Sequence, residues 1–100
     1  MKKYVYNGET VELVLDNYTN NYNTAVILKT EDEDTLVIST NIAWLTPYTF
    51  TADINNYPDI ENFLIDNGIA KPTGGHLTSG YCKYPIYALS EELIPDDDED

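Results

Sequence analysis

Only one segment of this chain carries a helical pattern, and that scarcity constrains the fold more than any other feature. The segment is Asn56–Asn67. Its apolar side chains recur at the i, i+3, i+4 spacing of a single helix face, at Ile60, Phe63 and Leu64. Gly68 suits the position directly after the helix. Because one short helix cannot bury its own apolar face, the sequence predicts that it packs on a β-sheet.

The other regular segments have the composition of β-strands joined by turns. Tyr4–Tyr6 and Val11–Leu15 flank Asn7-Gly8, a dipeptide typical of a type I′ hairpin turn. Thr24–Thr30 and Thr35–Thr40 predict a second hairpin. Further strands are predicted at Phe50–Ala52 and Tyr81–Leu89. The pattern therefore predicts an α+β fold: a mostly antiparallel sheet of about five to six strands with one helix packed across it.

Length, cysteine content and the N-terminus set the expected organisation and location. One hundred residues correspond to one domain, which we place at Met1–Leu89, followed by a disordered acidic tail at Ser90–Asp100. A single cysteine cannot form an intrachain disulfide. The first residues contain no apolar run that would serve as a signal peptide or membrane anchor. We therefore expect a protein of the bacterial host cytoplasm that does not bind membranes, either a monomer or a homodimer.

The charge is strongly negative and restricts the possible partners. Eighteen acidic residues face five lysines, there is no arginine, and the formal net charge is −13. Direct binding to nucleic acid is not expected, because phosphate contacts require Lys and Arg. A basic protein is the expected partner, although negative charge also serves solubility alone. The predicted contacts are the acidic turn and the tail acids: Glu31, Asp32, Glu33, Asp34, Glu91, Glu92, Asp96, Asp97 and Asp98.

The glycine-rich segment Asn67–Pro85 holds the only histidine and the only cysteine of the chain, which makes it the candidate for catalysis or metal binding. It lacks the lysine of a phosphate-binding loop and follows a helix, where such a loop would follow a strand. Cys82 and His76 lack an evident third partner for nucleophilic catalysis, and they are too few for a zinc site. We therefore expect a structural loop, no catalytic residue, no metal and no cofactor. His76 and Tyr81 are weaker candidates for partner contacts.

Several stretches of the C-terminal half resemble one bacterial family. They are Asn55-Asn56-Tyr57-Pro58, Phe63–Gly68, Lys71-Pro72-Thr73-Gly74 and Ser79–Tyr87, and Tyr18–Ala25 is similar as well. The chain thereby resembles the family called domain of unknown function 4313, most closely over Asn55–Leu89. It departs from the family pattern at Ala70 and at Gly75-His76. The resemblance implies an origin on plasmids, conjugative elements or prophages, and it implies no shared activity.

Charge and resemblance together give three hypotheses. The first is an inhibitor of a host defence nuclease, an anti-CRISPR protein that acts on Cas9 or its guide assembly through acidic residues that stand in for phosphates. The second is a non-enzymatic accessory or interaction domain of a conjugative element or prophage, using the tyrosines Tyr81, Tyr84 and Tyr87. The third is a small enzyme that uses Cys82 and His76.

Overall fold

A computed structural model describes residues 3–43 and 45–94, and within them it contains eight β-strands and one α-helix. In chain order the elements are β1 Lys3–Tyr6, β2 Glu9–Asn17, β3 Thr24–Thr30, β4 Thr35–Val37, β5 Ser39–Thr40, β6 Thr49–Ala52, α1 Ile60–Asp66, β7 Ala70–Ser79 and β8 Cys82–Leu89. The strands form two four-stranded antiparallel sheets, ordered β1-β2-β3-β4 and β5-β6-β8-β7. The α+β class and the antiparallel pairing are confirmed, whereas the predicted count of five to six strands is too low.

The two sheets meet at Ile38, the single residue between β4 and β5. Its N–H donates to the carbonyl of Val26 in β3 at 3.0 Å, and its carbonyl accepts the N–H of Asp53 at 2.9 Å. The Ile38 side chain is fully buried. The predicted strand Thr35–Thr40 therefore bends at its centre, so that its first half pairs in one sheet and its second half in the other.

The first sheet follows from the alternation of its strands. Val11 and Leu13 of β2 point into the core between more exposed neighbours, and they share that face with Val26 and Leu28 of β3. The turn before β2 has positive φ at both Asn7-Gly8 residues, 52° and 82°, as a type I′ turn requires. Strand β3 lies between two partners and is buried over most of its length, as expected for an apolar run without alternation.

Helix α1 covers the core with its predicted face. Ile60, Phe63 and Leu64 are buried, and the Phe63 ring meets the Tyr4 and Tyr6 rings of β1 edge-on, with centroids 6.1 and 5.0 Å apart. The observed helix is shorter than the predicted one, because the preceding residues form turns. There the side chain of buried Asp53 accepts hydrogen bonds from the backbone and side-chain nitrogens of Asn56.

The glycine-rich segment is not a loop, which corrects the sequence prediction. Residues 70–79 form β7, which pairs with β8 through most of its length. The ladder is interrupted between Pro72 and His76, where Gly74 takes a φ of +94° and the strand bulges. Pro85 lies opposite His76 next to that bulge, where its missing N–H is tolerated. The glycines here belong to a bulged edge strand, and amino-acid composition alone does not distinguish such a strand from a loop.

Asparagine side chains fix the polar loop between β2 and β3. Buried Asn23 donates to the Asn41 side chain at 2.9 Å and to the Ala43 carbonyl at 2.7 Å, and accepts the N–H of Leu45 at 3.0 Å. The Tyr18 hydroxyl lies 2.9 Å from the Ser39 hydroxyl. These bonds satisfy backbone groups that would otherwise be buried without partners, and they join two loops that are distant in sequence.

Candidate functional site

The predicted acidic turn projects from one end of the first sheet. Glu31, Asp32, Glu33 and Asp34 connect β3 to β4, and all four side chains are exposed. The turn is closed by Thr30, whose N–H donates to the Asp34 carbonyl at 2.8 Å and whose hydroxyl accepts the Asp34 N–H at 3.1 Å. Four adjacent carboxylates are thus presented on a backbone that its own hydrogen bonds hold in place.

Two further acids that the sequence did not group with this turn lie at the same end. Glu9 begins β2, and Asp59 precedes α1. Both line a cleft of about 480 Å³, together with Leu36 of β4 and Tyr57. Because Leu36 stands two residues after Asp34, the cleft adjoins the acidic turn. We call this region the acidic end, defined by Glu9, Glu31, Asp32, Glu33, Asp34 and Asp59.

Two lysines partly offset the charge of the acidic end, since Lys3 and Lys29 line a shallow pocket with Glu31 and Glu33. Within residues 3–43 and 45–94, the only ion pair joins the Lys29 ammonium to the Glu33 carboxylate at 3.8 Å. The exposed fractions of the two side chains are 41% and 80%, so solvent and salt screen the pair. The surface therefore retains a negative potential that attracts basic partners over a distance of about 10 Å at moderate salt.

Two buried tyrosines hold the helix carboxylates in place. The Tyr6 hydroxyl donates to Asp59 Oδ1 at 2.8 Å, and the Tyr87 hydroxyl donates to Glu61 Oε1 at 2.6 Å. Burial, followed by the hydrogen bond to the neighbouring carboxylate, raises the pKa of both phenols well above the ordinary value. Both tyrosines therefore stay protonated as donors, and the first bond fixes the orientation of one carboxylate of the acidic end.

The predicted tail contacts lie elsewhere. Glu91 and Glu92 are exposed on a short 3-10 helix, Glu91–Leu93, whereas Asp96, Asp97 and Asp98 lie outside the described residues. Hydrogen bonds link the end of β8 through Tyr48 to Thr24, the first residue of β3. The acidic turn follows the last residue of that seven-residue strand, which is roughly 20 Å long. The turn and the start of the tail therefore do not form one contiguous patch.

The weaker candidates lie on the β7–β8 hairpin of the second sheet. Tyr81 occupies the hairpin turn and is fully exposed, and His76 is exposed on β7. Cys82 lies directly opposite Ser79, which is three residues after His76 in β7. Because successive side chains of a strand alternate between its two faces, His76 and Cys82 project from opposite faces of the hairpin. The described geometry does not assemble the Cys82–His76 pair that the enzyme hypothesis requires.

The tyrosines on which the accessory-domain hypothesis relies differ in their burial. Tyr87 is fully buried, and its ring stacks on Phe50 with centroids 6.2 Å apart. It is a core residue and cannot contact a partner, which corrects that part of the accessory-domain hypothesis. Tyr84 lies on the same hairpin face as Cys82, and a hydrogen bond to that thiol raises the pKa of the Tyr84 phenol.

The described residues also bear on metal binding and on membrane spanning. Residues 3–43 and 45–94 contain no group of three or more His, Cys, Asp or Glu side chains placed to hold a metal ion. Over the same residues, no helix is sufficiently long and apolar to cross a membrane.

Sequence reasoning missed how Glu9 and Asp59 extend the acidic turn into a cleft. The i, i+2 alternation of β2 places Glu9 on the same face as Val11 and Leu13, and Glu9 is exposed there only because it is the first residue of the strand. Nothing in the sequence indicates that the start of α1 returns to the first hairpin. That proximity depends on the Tyr6–Asp59 hydrogen bond and on Phe63 packing against β1.

Comparison with known proteins gives one match. A family model described as Domain of unknown function (DUF4313) matches residues 12–95. No curated protein and no solved structure matches the chain. The matched region contains the residues that carried the resemblance, and several of them have structural roles: Asn23 joins two loops, Gly74 forms the bulge and Tyr87 anchors the helix.

Proposed function

The chain belongs to the DUF4313 family, and from that premise we propose that it is a non-enzymatic inhibitor of a host defence nuclease, encoded by a mobile element and acting on Cas9 or its guide assembly. The observation that carries the proposal is the excess of carboxylates at the acidic end, where six acids exceed the two neighbouring lysines, Lys3 and Lys29. A nuclease that binds guide RNA and DNA holds them in a positively charged channel. Carboxylates at the acidic end occupy the positions that phosphates take in that channel.

The arrangement of the acids supports a binding role over simple solubility. A solvated surface needs dispersed charge, and four consecutive carboxylates repel one another by an amount that a structural turn does not require. Here the turn is closed by hydrogen bonds from Thr30, and Asp59 is held by Tyr6. Because the turn backbone and the Asp59 carboxylate are already held, fewer groups have to be ordered when they meet Arg and Lys side chains, which strengthens binding.

The test is a Cas9 DNA-cleavage assay with purified protein added before or after guide RNA loading, at low and moderate salt. We expect inhibition that weakens as salt rises, because interactions between exposed charges are screened. Inhibition confined to addition before loading assigns the target to guide assembly. Inhibition after loading assigns it to the DNA channel. Absence of inhibition in every order overturns the proposal.

Variants separate the acidic end from bulk charge. Asp32→Asn and Asp66→Asn each remove one exposed charge, the first inside the acidic end and the second at the end of α1. We expect Asp32→Asn to slow association more than Asp66→Asn does, and neutralisation of all four turn residues to abolish most inhibition. A truncation after Ile94 tests the tail separately. Equal effects of the two single variants would refute the acidic end as the contact.

One observation favours the accessory-domain alternative. Tyr81 is fully exposed at the tip of the β7–β8 hairpin, where a large aromatic side chain has no role in the core. A pull-down from the native host that recovers a partner in a salt-insensitive manner, and loses it on Tyr81→Ser, would support an interaction domain of a conjugative element or prophage.

A further inference from the structure

The first sheet ends at β1, and one side of this strand has no partner strand among the described residues. A free sheet edge presents unpaired N–H and C=O groups, and proteins commonly block it with proline, a bulge or inward-pointing charges. At the far edge of the second sheet, β7 carries both Pro72 and the bulge at Gly74. The residues of β1 include no proline and pair with β2 without a register shift. The free edge of β1 is therefore open to a further strand.

The register of the first hairpin shows which groups of β1 face that edge. The two-residue turn Asn7-Gly8 makes Tyr6 and Glu9 a hydrogen-bonded pair, and such pairs alternate with non-hydrogen-bonded pairs along an antiparallel ladder. Val5 and Thr10 therefore form a non-hydrogen-bonded pair, and the Val5 N–H and carbonyl point away from β2. Among the described residues, neither group has a hydrogen-bond partner. The Val5 side chain is 62% exposed, so the core does not use it either.

A groove of about 240 Å³ runs beside the free edge, with Val5 on one side and Asn62 and Asp66 of α1 on the other. Alternation along β1 places the Val5 side chain on the outer face of the sheet and the Tyr6 side chain on the inner face. The Tyr6 ring packs against Phe63, so α1 lies under the inner face. Because β2 closes the other side of β1, a groove that touches both Val5 and α1 must lie at the free edge.

The charged side chains of the groove favour a basic occupant. Asp59 and Asp66 both line it, and both are exposed. The Tyr6 hydroxyl holds Asp59 through Oδ1 at 2.8 Å, which orients that carboxylate and leaves its other oxygen available to a ligand. Within the described part of the chain no lysine lines the groove, since Lys3 projects from the outer face beyond Val5. Charge complementarity therefore selects Lys or Arg side chains over acidic ones.

We propose that the free edge of β1 binds an extended segment of a protein partner that carries Lys or Arg at alternate positions. The segment adds to β1 as a further antiparallel strand, so that its carbonyl accepts the Val5 N–H and its N–H donates to the Val5 carbonyl. Its basic side chains turn toward α1 and meet Asp59 and Asp66, and the intervening side chains lie beside Val5 on the outer face. The inference goes beyond the proposed function and does not depend on the nuclease, because backbone pairing holds the occupant.

The test uses the ¹⁵N-labelled full chain and short peptides, with no nuclease present. Acetyl-Val-Lys-Val-Lys-Val-amide is compared with matched peptides in which glutamine or glutamate replaces both lysines. With the lysine peptide we expect saturable chemical-shift changes of the Val5 and Asp66 amides and slower hydrogen exchange of the Val5 amide. The dissociation constant should be on the order of 1 mM, since so short a strand adds few hydrogen bonds. The glutamate peptide should bind roughly tenfold more weakly, and the glutamine peptide should fall between them.

N-methylated peptides test the backbone pairing directly. In an antiparallel addition with the lysines turned toward α1, the valine N–H groups face β1 and the lysine N–H groups face away from it. Methylation of the valine nitrogens should therefore abolish binding, and methylation of the lysine nitrogens should leave it largely intact. Equal binding of the two methylated peptides would overturn strand addition, and the reverse order would overturn the antiparallel orientation.

Other occupants of the edge would also overturn the proposal. A glutamate peptide that binds as tightly as the lysine peptide would remove the selection for basic side chains. A dimer that forms in sedimentation experiments without peptide, and that protects the Val5 amide from exchange, would assign the edge to a second copy of the chain. Because no nuclease is involved, failure of this experiment leaves the inhibition assay to decide the proposed function separately.

Variants separate the backbone contact from the charge contact. Val5→Pro removes the outward N–H without breaking a bond to β2 and should abolish binding, whereas Val5→Thr keeps the N–H and should bind as the parent does. Asp66→Asn should reduce the preference for lysine over glutamine about twofold to fivefold, and Asp16→Asn, which removes an exposed acid outside the groove, is its control. Equal losses within either pair would refute the corresponding contact. If Val5→Pro does not fold, the methylated peptides still decide, since they use the unaltered chain.

Discussion

The Tyr87–Glu61 hydrogen bond is the most sharply testable link between the helix and the sheets. The Tyr87 hydroxyl donates to Glu61 Oε1 at 2.6 Å, and the tyrosine is fully buried. Tyr87→Phe removes the donor and keeps the ring, including its stacking on Phe50. Hydrogen bonds to charged groups contribute about 1.5–3 kcal/mol, so we expect the free energy of unfolding to fall by about 2 kcal/mol.

The assay is urea unfolding followed by circular dichroism at neutral pH. With a denaturant slope of about 1–3 kcal/mol per molar, a loss of about 2 kcal/mol lowers the midpoint by about 1 M. Tyr6→Phe is the matched control. Its acceptor Asp59 is exposed and the bond is 2.8 Å long, so the loss should be nearer the ordinary value of about 1 kcal/mol.

A double-mutant cycle with Glu61→Met, which removes the acceptor oxygens and keeps a side chain of similar length, isolates the pairwise contribution. If the bond carries the effect, the coupling energy between the two positions should exceed about 1 kcal/mol. A loss below about 0.5 kcal/mol for Tyr87→Phe would refute the reasoning, and so would additive single effects. Either result would mean that Phe63 and Leu64 packing alone fixes the helix.

Two further predictions concern stability. Because the pKa values of Tyr6 and Tyr87 are raised, the folded state keeps protons that the unfolded state loses at high pH. The free energy of unfolding should therefore be unaffected below the ordinary phenol pKa of about 10 and should fall as the pH rises above it. Urea unfolding at increasing pH should show a smaller loss in a Tyr6→Phe/Tyr87→Phe variant, and an equal loss in both proteins would contradict the assignment. Asn23→Ala should cost about 1–3 kcal/mol, because it removes a buried side chain that donates to Asn41 and Ala43 and accepts the Leu45 N–H. The exposed Asn55→Ala, which lies outside the loop network, is its control, and thermal unfolding that ranks the two equally would count against that network.

The local features of the fold were readable from short stretches. The helix face at Ile60, Phe63 and Leu64, the turn at Asn7-Gly8 and the buried strand at Thr24–Thr30 each depend on residues close together in sequence. Periodicity and turn chemistry are local properties, and they are expressed wherever the tertiary structure does not oppose them.

The glycine-rich hairpin was predicted as a loop because glycine and proline usually mark turns and loops between regular elements. In β7 they are tolerated because the strand lies at a sheet edge, where Pro72 need not donate and the bulge at Gly74 faces no further strand. Edge position is a property of the assembled sheet. Likewise, the bend at Ile38 that divides one predicted strand between two sheets arises from bonding partners on both sides.

The same distinction between local and long-range information applies to the candidate site. The amino-acid sequence by itself determined the net charge, the acidic turn and the family, because charge and motif are carried by residues in order along the chain. Tertiary structure alone decided that Glu9 and Asp59 join the turn and that Tyr87 belongs to the core. These groupings bring together residues separated by many positions, and the energies that hold them there are long-range packing and hydrogen bonds such as Tyr6 to Asp59. No local pattern encodes such contacts, because they exist only once the sheets and the helix have met.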